Sequence, residues 1–126
     1  MVDDHPTWII GGSRMKGKKT YRIPLSSAAV ALLGKRHADN IPLFKVSNEG
    51  ALRATLKACD GNSFKVHGFR TSLQDWGVPI YGADLMDMCI AHGMTGGKVR
   101  KAYQRTDRLA ERRPILKEWS KYLTGK

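Results

Sequence analysis

Two cysteines, Cys59 and Cys89, are all that the 126 residues contain, and they form no CxxC pair. A disulfide framework and a cysteine-based metal site are excluded on that count. Their neighbours are apolar or small (Ala58, Ile90, Ala91), so both are expected to be reduced thiols in the core, which suits a reducing cytoplasm. The four histidines are scattered without ligand spacing, so no metal or other cofactor is expected. No apolar run approaches the roughly 20 residues needed to cross a bilayer. Met1-Val2-Asp3-Asp4-His5 lacks the basic-then-apolar order of a signal peptide. A cytoplasmic location with no membrane partner is therefore expected. Internal repeats and low-complexity tracts are missing too.

Acidic residues are the other shortage. Eleven Asp and Glu face 22 Lys and Arg, a net charge of +11 and a pI near 10.0. The excess is concentrated. From His5 to Ala38 there are seven Lys or Arg residues and no acid, and from Lys98 to Lys126 there are ten basic residues and three acidic ones. A polyanion is the first partner such a balance suggests. A basic run taken alone is more often a solvated helix face. With 41% hydrophobic residues, the chain has material for a real core.

Thr7-Trp8-Ile9-Ile10 is a short β-prone run ended by Gly11-Gly12. Arg14 to Lys19 is a basic loop, and Thr20 to Ile23 is a second β-prone run closed by Pro24, so a hairpin is expected. Ser26 or Ser27 caps a helix through Ala28–Leu33 that stops near Gly34. His37 to Ile41 reads as loop and Leu43 to Val46 as a short strand. Ser47 caps the next helix, with Gly50 a weak point inside it. Leu52, Leu56 and Cys59 share one face of that helix, and Asp60-Gly61-Asn62 ends it. A helix follows over Val66–Trp76, broken by Gly77-Val78-Pro79, and then a buried helix over Ala83–Ala91. Gly96-Gly97 interrupts the chain before a short helix over Lys98–Tyr103. A final amphipathic helix from Asp107 to Leu123 buries Leu109, Ile115, Leu116, Trp119 and Leu123, with a kink or late start at Pro114. Trp76 and Trp119 are expected in the core, His5 and His37 on the surface.

The residues that carry chemistry form an ordered series: Val66-His67-Gly68-Phe69-Arg70, Ile90-Ala91-His92 and Ala102-Tyr103-Gln104-Arg105. His92 follows Arg70 by 22 positions and Tyr103 follows His92 by 11. A lone His-x-x-Arg is weak evidence, but four ordered blocks, with Arg14-Met15-Lys16-Gly17-Lys18-Lys19 as the first, are not. The series resembles the tyrosine site-specific recombinases. The flanks His67–Trp76, Ala102–Asp107 and Glu111–Trp119 look like the integrases of temperate phages, phage satellites and genomic islands. The resemblance covers nearly the whole chain.

That resemblance implies an α+β fold, a mainly helical catalytic domain with a small antiparallel β-hairpin on its N-terminal side. Residues 1–24 would form the hairpin with its basic turn, 25–106 the helical catalytic core and 107–126 the C-terminal helix. It implies DNA integration and recombination, in which strands are cleaved and rejoined through a 3′-phosphotyrosine. Tyr103 would be the nucleophile. A phenol with a pKa of about 10 needs help at neutral pH, and Lys98, Arg100, Lys101 and Arg105 surround it in sequence. Arg70 would clamp phosphate oxygens with its planar fork. His67 would transfer a proton or hydrogen-bond the transition state, and His92 would bond the phosphate. Lys16 would be the general acid, with Lys18 and Lys19 on the same turn. Arg14, Lys18, Lys19, Lys98, Arg100, Lys101 and Arg105 would line the DNA. The partners implied are double-stranded recombination sites and a tetramer of the full-length protein on them.

Two departures qualify this. The family's other active-site Arg and its upstream DNA-binding domains have no room before Thr7, so the chain is expected to be a fragment that recombines poorly alone. The Gly77–Gly82 segment is also shorter than in relatives, which bears on His92 more than on Arg70. Isolated, each residue has a plainer reading: Tyr103 in packing, Arg70 in a salt bridge, the histidines as structural. Competing functions are a catalytically inactive DNA-binding remnant and an interaction module in which Arg112–Leu123 docks on a neighbour. A type IB topoisomerase shares the chemistry, but the phage-like flanks argue against it.

Overall fold

The fold is α+β, as expected. In the computed structural model the described residues are 2, 4–34, 44, 48–59, 64–92 and 106–125. Strands β1 (Thr7–Ile10) and β2 (Tyr21–Pro24) pair antiparallel, with Trp8 opposite Ile23 and Ile10 opposite Tyr21. Pro24, which lacks an N–H, falls at the strand end opposite Thr7. Helix α1 (Ser27–Leu33) starts where Ser26 Oγ accepts from the Ala29 N–H at 3.2 Å. It stops at Gly34, whose φ of +66° suits glycine.

Helix α2 (Glu49–Ala58) departs from expectation. Its cap is Asn48, whose Oδ1 accepts from the Ala51 N–H at 3.0 Å, and Ser47 lies outside the described residues. Asn is as good a cap as Ser, so the choice between them was open. The face of Leu52, Leu56 and Cys59 is not buried: Leu52 is 43% exposed and Cys59 is exposed. Cys59 is thus not a core thiol, whereas Cys89 is buried as expected. Residues 35–43, 45–47, 60–63 and 93–105, which include the expected loop at His37, the strand around Leu43 and the helix at Lys98–Tyr103, lie outside the described residues.

Helix α3 (Gly68–Tyr81) runs straight through Gly77-Val78-Pro79, correcting the expected break. Pro79 gives up one backbone bond, that of its own missing N–H, without ending the helix. Gly77 is buried because α4 (Ala83–Cys89) crosses it closely: a Cβ there would meet Met86 Cε at 2.3 Å. The real stop is Gly82 at φ +82°, whose N–H closes on the Val78 carbonyl at 3.0 Å.

Helix α5 (Leu109–Thr124) absorbs Pro114 in its second turn. It packs on β2, α4, α1 and α3. Leu73, Met86, Cys89 and Ile115 form the centre of the core, with Trp76, Leu116 and Trp119 packed against it. Trp76 and Trp119 meet at 5.2 Å between ring centroids. Leu123, expected inside, is 63% exposed. Among the described residues no helix is long and apolar enough to cross a membrane.

Candidate active site

One face of α3 builds most of the site. His67 is the residue before the helix, and its carbonyl accepts from the Arg70 N–H at 3.1 Å. Positions 67, 70, 71, 74 and 75 then recur at helical spacing and share a face. The opposite wall comes from the end of α4. His67, Arg70, Thr71, Gln74, Asp75, Ile90 and His92 together enclose a surface cleft of about 240 Å³. Three of the residues singled out in the sequence are thereby brought together. Arg70 is half-buried, and His67 and His92 are exposed.

His92 reaches the cleft because of how α4 ends. Ile90 caps the helix, and the next residue, Ala91, takes a left-handed φ of +54°. The His92 N–H then returns to the Asp87 carbonyl at 2.8 Å, and the Ala91 N–H to the Met88 carbonyl at 3.4 Å. These are the two bonds of a Schellman cap. The turn throws the His92 ring sideways, toward α3. Its Nδ1 lies 3.2 Å from Asp87 Oδ1, which also accepts from Gln74 Nε2 at 2.8 Å. Neither Asp87 nor Gln74 was singled out in the sequence. The only signal was an acidic residue five positions before His92.

Lys16 is not among the cleft's walls. It sits at the tip of the hairpin loop, in a turn closed by the Lys18 N–H on the Met15 carbonyl at 2.9 Å. The loop is tight: a Cβ on Gly12 would come within 2.5 Å of the Lys18 carbonyl oxygen, and Lys18 has a φ of +51°. Arg14, Lys16, Lys18 and Lys19 are all exposed on it. Tyr103, Lys98, Arg100, Lys101 and Arg105 lie outside the described residues.

A second polar cluster ties the hairpin to α4 and α5. Asp107 accepts from Arg22 Nε at 2.5 Å and Nη2 at 2.7 Å, and these bonds and that charge hold its carboxyl below the usual range. Arg112, fully buried, donates to the carbonyls of Asp107 and Arg22 at 2.8 Å each and stacks over the Tyr21 ring at 5.3 Å. The Tyr21 hydroxyl donates to the Met88 and Cys89 carbonyls at 2.7 and 2.8 Å. Burial raises its pKa and pushes the Cys89 thiol up to about 11. The inner side of α5 is thus spent within its own chain, although Tyr122 and Leu123 stay exposed. Among the described residues no cluster of His, Cys, Asp or Glu is placed to hold a metal.

The chain is similar to the prophage integrase IntA of Escherichia coli K12, with 31% identity over 90% of this chain. The chain spans about 30% of that protein's length. The similarity supports the integrase family and no particular subtype within it. No family model matches the chain, and no solved structure matches it.

Proposed function

We propose that this chain is the catalytic part of an integrase that cleaves and rejoins double-stranded DNA through Tyr103. The observation that carries the reading is the cleft that unites His67, Arg70 and His92. A phosphodiester needs a nucleophile, an acid for the leaving oxygen and cationic donors for charge developing at phosphorus. Arg70 supplies a fork for two phosphate oxygens, and the histidines flank it with nitrogens that can take up or give a proton. Lys16, on the hairpin tip, protonates the departing 5′-oxygen. The Tyr103 oxygen bonds to phosphorus as the 5′-oxygen leaves, and the Tyr103 hydroxyl proton passes to His67. The bond energy is kept in the phosphotyrosine, so rejoining needs no nucleotide cofactor. Similarity to a prophage integrase and the basic surface agree with DNA as substrate. On recombination sites the full-length protein acts as a tetramer.

The test is a pool of nicked duplexes, randomised across the target site, incubated with the chain and resolved under denaturing conditions. A slowly accumulating covalent adduct, mapped to Tyr103 and lost in Tyr103→Phe, is expected. Arg70→Ala should lower its yield at least about 10²-fold, in line with loss of a transition-state donor. Duplex binding without any adduct would instead identify a DNA-binding remnant and overturn strand cleavage by this chain.

A further inference from the structure

His92 is gripped twice by one residue: its N–H by the Asp87 carbonyl and its Nδ1 by the Asp87 carboxylate. The same carboxylate oxygen is braced by Gln74 Nε2, from the cleft face of α3. The Asp87 side chain is 14% exposed and that of His92 65%, so the carboxylate sits behind and the imidazole in front. An ionised carboxylate only accepts hydrogen bonds. The ring nitrogen facing it therefore carries the hydrogen. Nε2, on the far side of the ring, is left for whatever occupies the cleft.

We infer that Asp87, braced by Gln74, is a positioning residue that fixes His92 with its hydrogen on Nδ1 and presents Nε2 to the scissile phosphate. What Nε2 meets rests on the strand-cleavage reading above, while the tautomer does not. As a neutral ring, His92 offers a lone pair at Nε2. Once that nitrogen takes up a proton it donates to a phosphate oxygen, and Asp87 balances the new charge. In both states the Nδ1 hydrogen stays on Asp87, so only one nitrogen does chemistry. The logic is that of any histidine whose second nitrogen is oriented by a carboxylate.

The chain labelled with ¹⁵N-histidine, observed at alkaline pH, reads the tautomer directly and without DNA. Wild type should show His92 protonated at Nδ1 and bare at Nε2. Asp87→Ala removes the acceptor and should leave the hydrogen shared between Nδ1 and Nε2. If Asp87→Ala does not fold, Gln74→Leu serves instead: it loosens the carboxylate without touching the α4 cap, and should shift the ring part-way to the same mixture. In the adduct assay Asp87→Ala should slow Tyr103 attachment about 10- to 100-fold, the cost of losing an outer partner at metal-bound histidines, with duplex affinity unchanged and Asp87→Glu restoring part. An Nε2–H wild-type ring, or a ring indifferent to Asp87→Ala, overturns the inference. So does an adduct rate that Asp87→Ala leaves unchanged. The expected spectra with no adduct from any chain would overturn strand cleavage and uphold the Asp87 tautomer.

Discussion

Two guanidinium groups converge on Asp107. It receives two bonds from Arg22 and lies 3.7 Å from an Arg112 nitrogen. A carboxyl depressed in the folded state adds stability above its unfolded pKa of about 3.9, and that stability is lost as pH falls through the folded value. The unfolding free energy should accordingly drop on acidification below about pH 4, and Asp107→Asn should flatten that drop. At neutral pH the same substitution removes charge-assisted bonds and is expected to cost about 1–3 kcal/mol. Denaturant titrations of both chains across pH 2–7 check this, and parallel pH profiles would refute it. None of this cluster was legible in the sequence. Arg22 and Asp107 are 85 positions apart, and a basic residue in an acid-free stretch looks like a DNA contact, not an internal tie. The cysteines teach the same lesson in reverse. Apolar neighbours in sequence described Cys89 correctly and Cys59 wrongly, because a helix face is buried only if another element covers it.

At the scale of elements, periodicity and caps served well wherever the signal was local. The two strands, Ser26, Gly34 and the extent of α5 follow from patterns a few residues long. The Gly77-Val78-Pro79 break failed because Gly77 was read as a helix breaker, whereas it is the one residue small enough for the Met86 side chain to cross. That requirement comes from α4 and is invisible in α3 alone. The α4 terminus offers the clearest element-level test. Its Schellman cap has Ala91 at the left-handed position, where a Cβ costs roughly 1–2 kcal/mol and glycine costs nothing. Ala91→Gly should therefore raise stability by up to about 1 kcal/mol, part of the gain being returned as unfolded-chain entropy. The His92 N–H bond to Asp87 should become more protected in hydrogen exchange. A destabilised Ala91→Gly chain would show that the cap is not formed this way.

At the scale of the molecule, the cleft was half legible. Resemblance to a family's motifs named His67, Arg70 and His92, and the helix face and the cap explain how they converge. Sequence could not show that Asp87 and Gln74 stand behind His92, since that depends on α3 packing against α4. The fold also sorts the basic residues, which composition cannot do. Arg22 and Arg112 are committed to Asp107 and backbone carbonyls, and Arg108 is bound to Glu111. The hairpin loop differs, since Arg14, Lys16, Lys18 and Lys19 project from it exposed. If this loop lies along a duplex, each phosphate contact it makes releases condensed counterions, and log K falls with log salt by about 0.9 per contact. Replacing all four with Gln should flatten the slope by up to about 3.6, the sum of four such contacts. Arg108→Gln, whose charge Glu111 already engages, should leave it nearly unchanged. Anisotropy titrations of a labelled duplex at several salt concentrations measure both slopes. A quadruple variant with the wild-type slope would remove the hairpin from the DNA-facing surface, whereas a slope lowered equally by Arg108→Gln would mean that the charge acts diffusely and not through the loop.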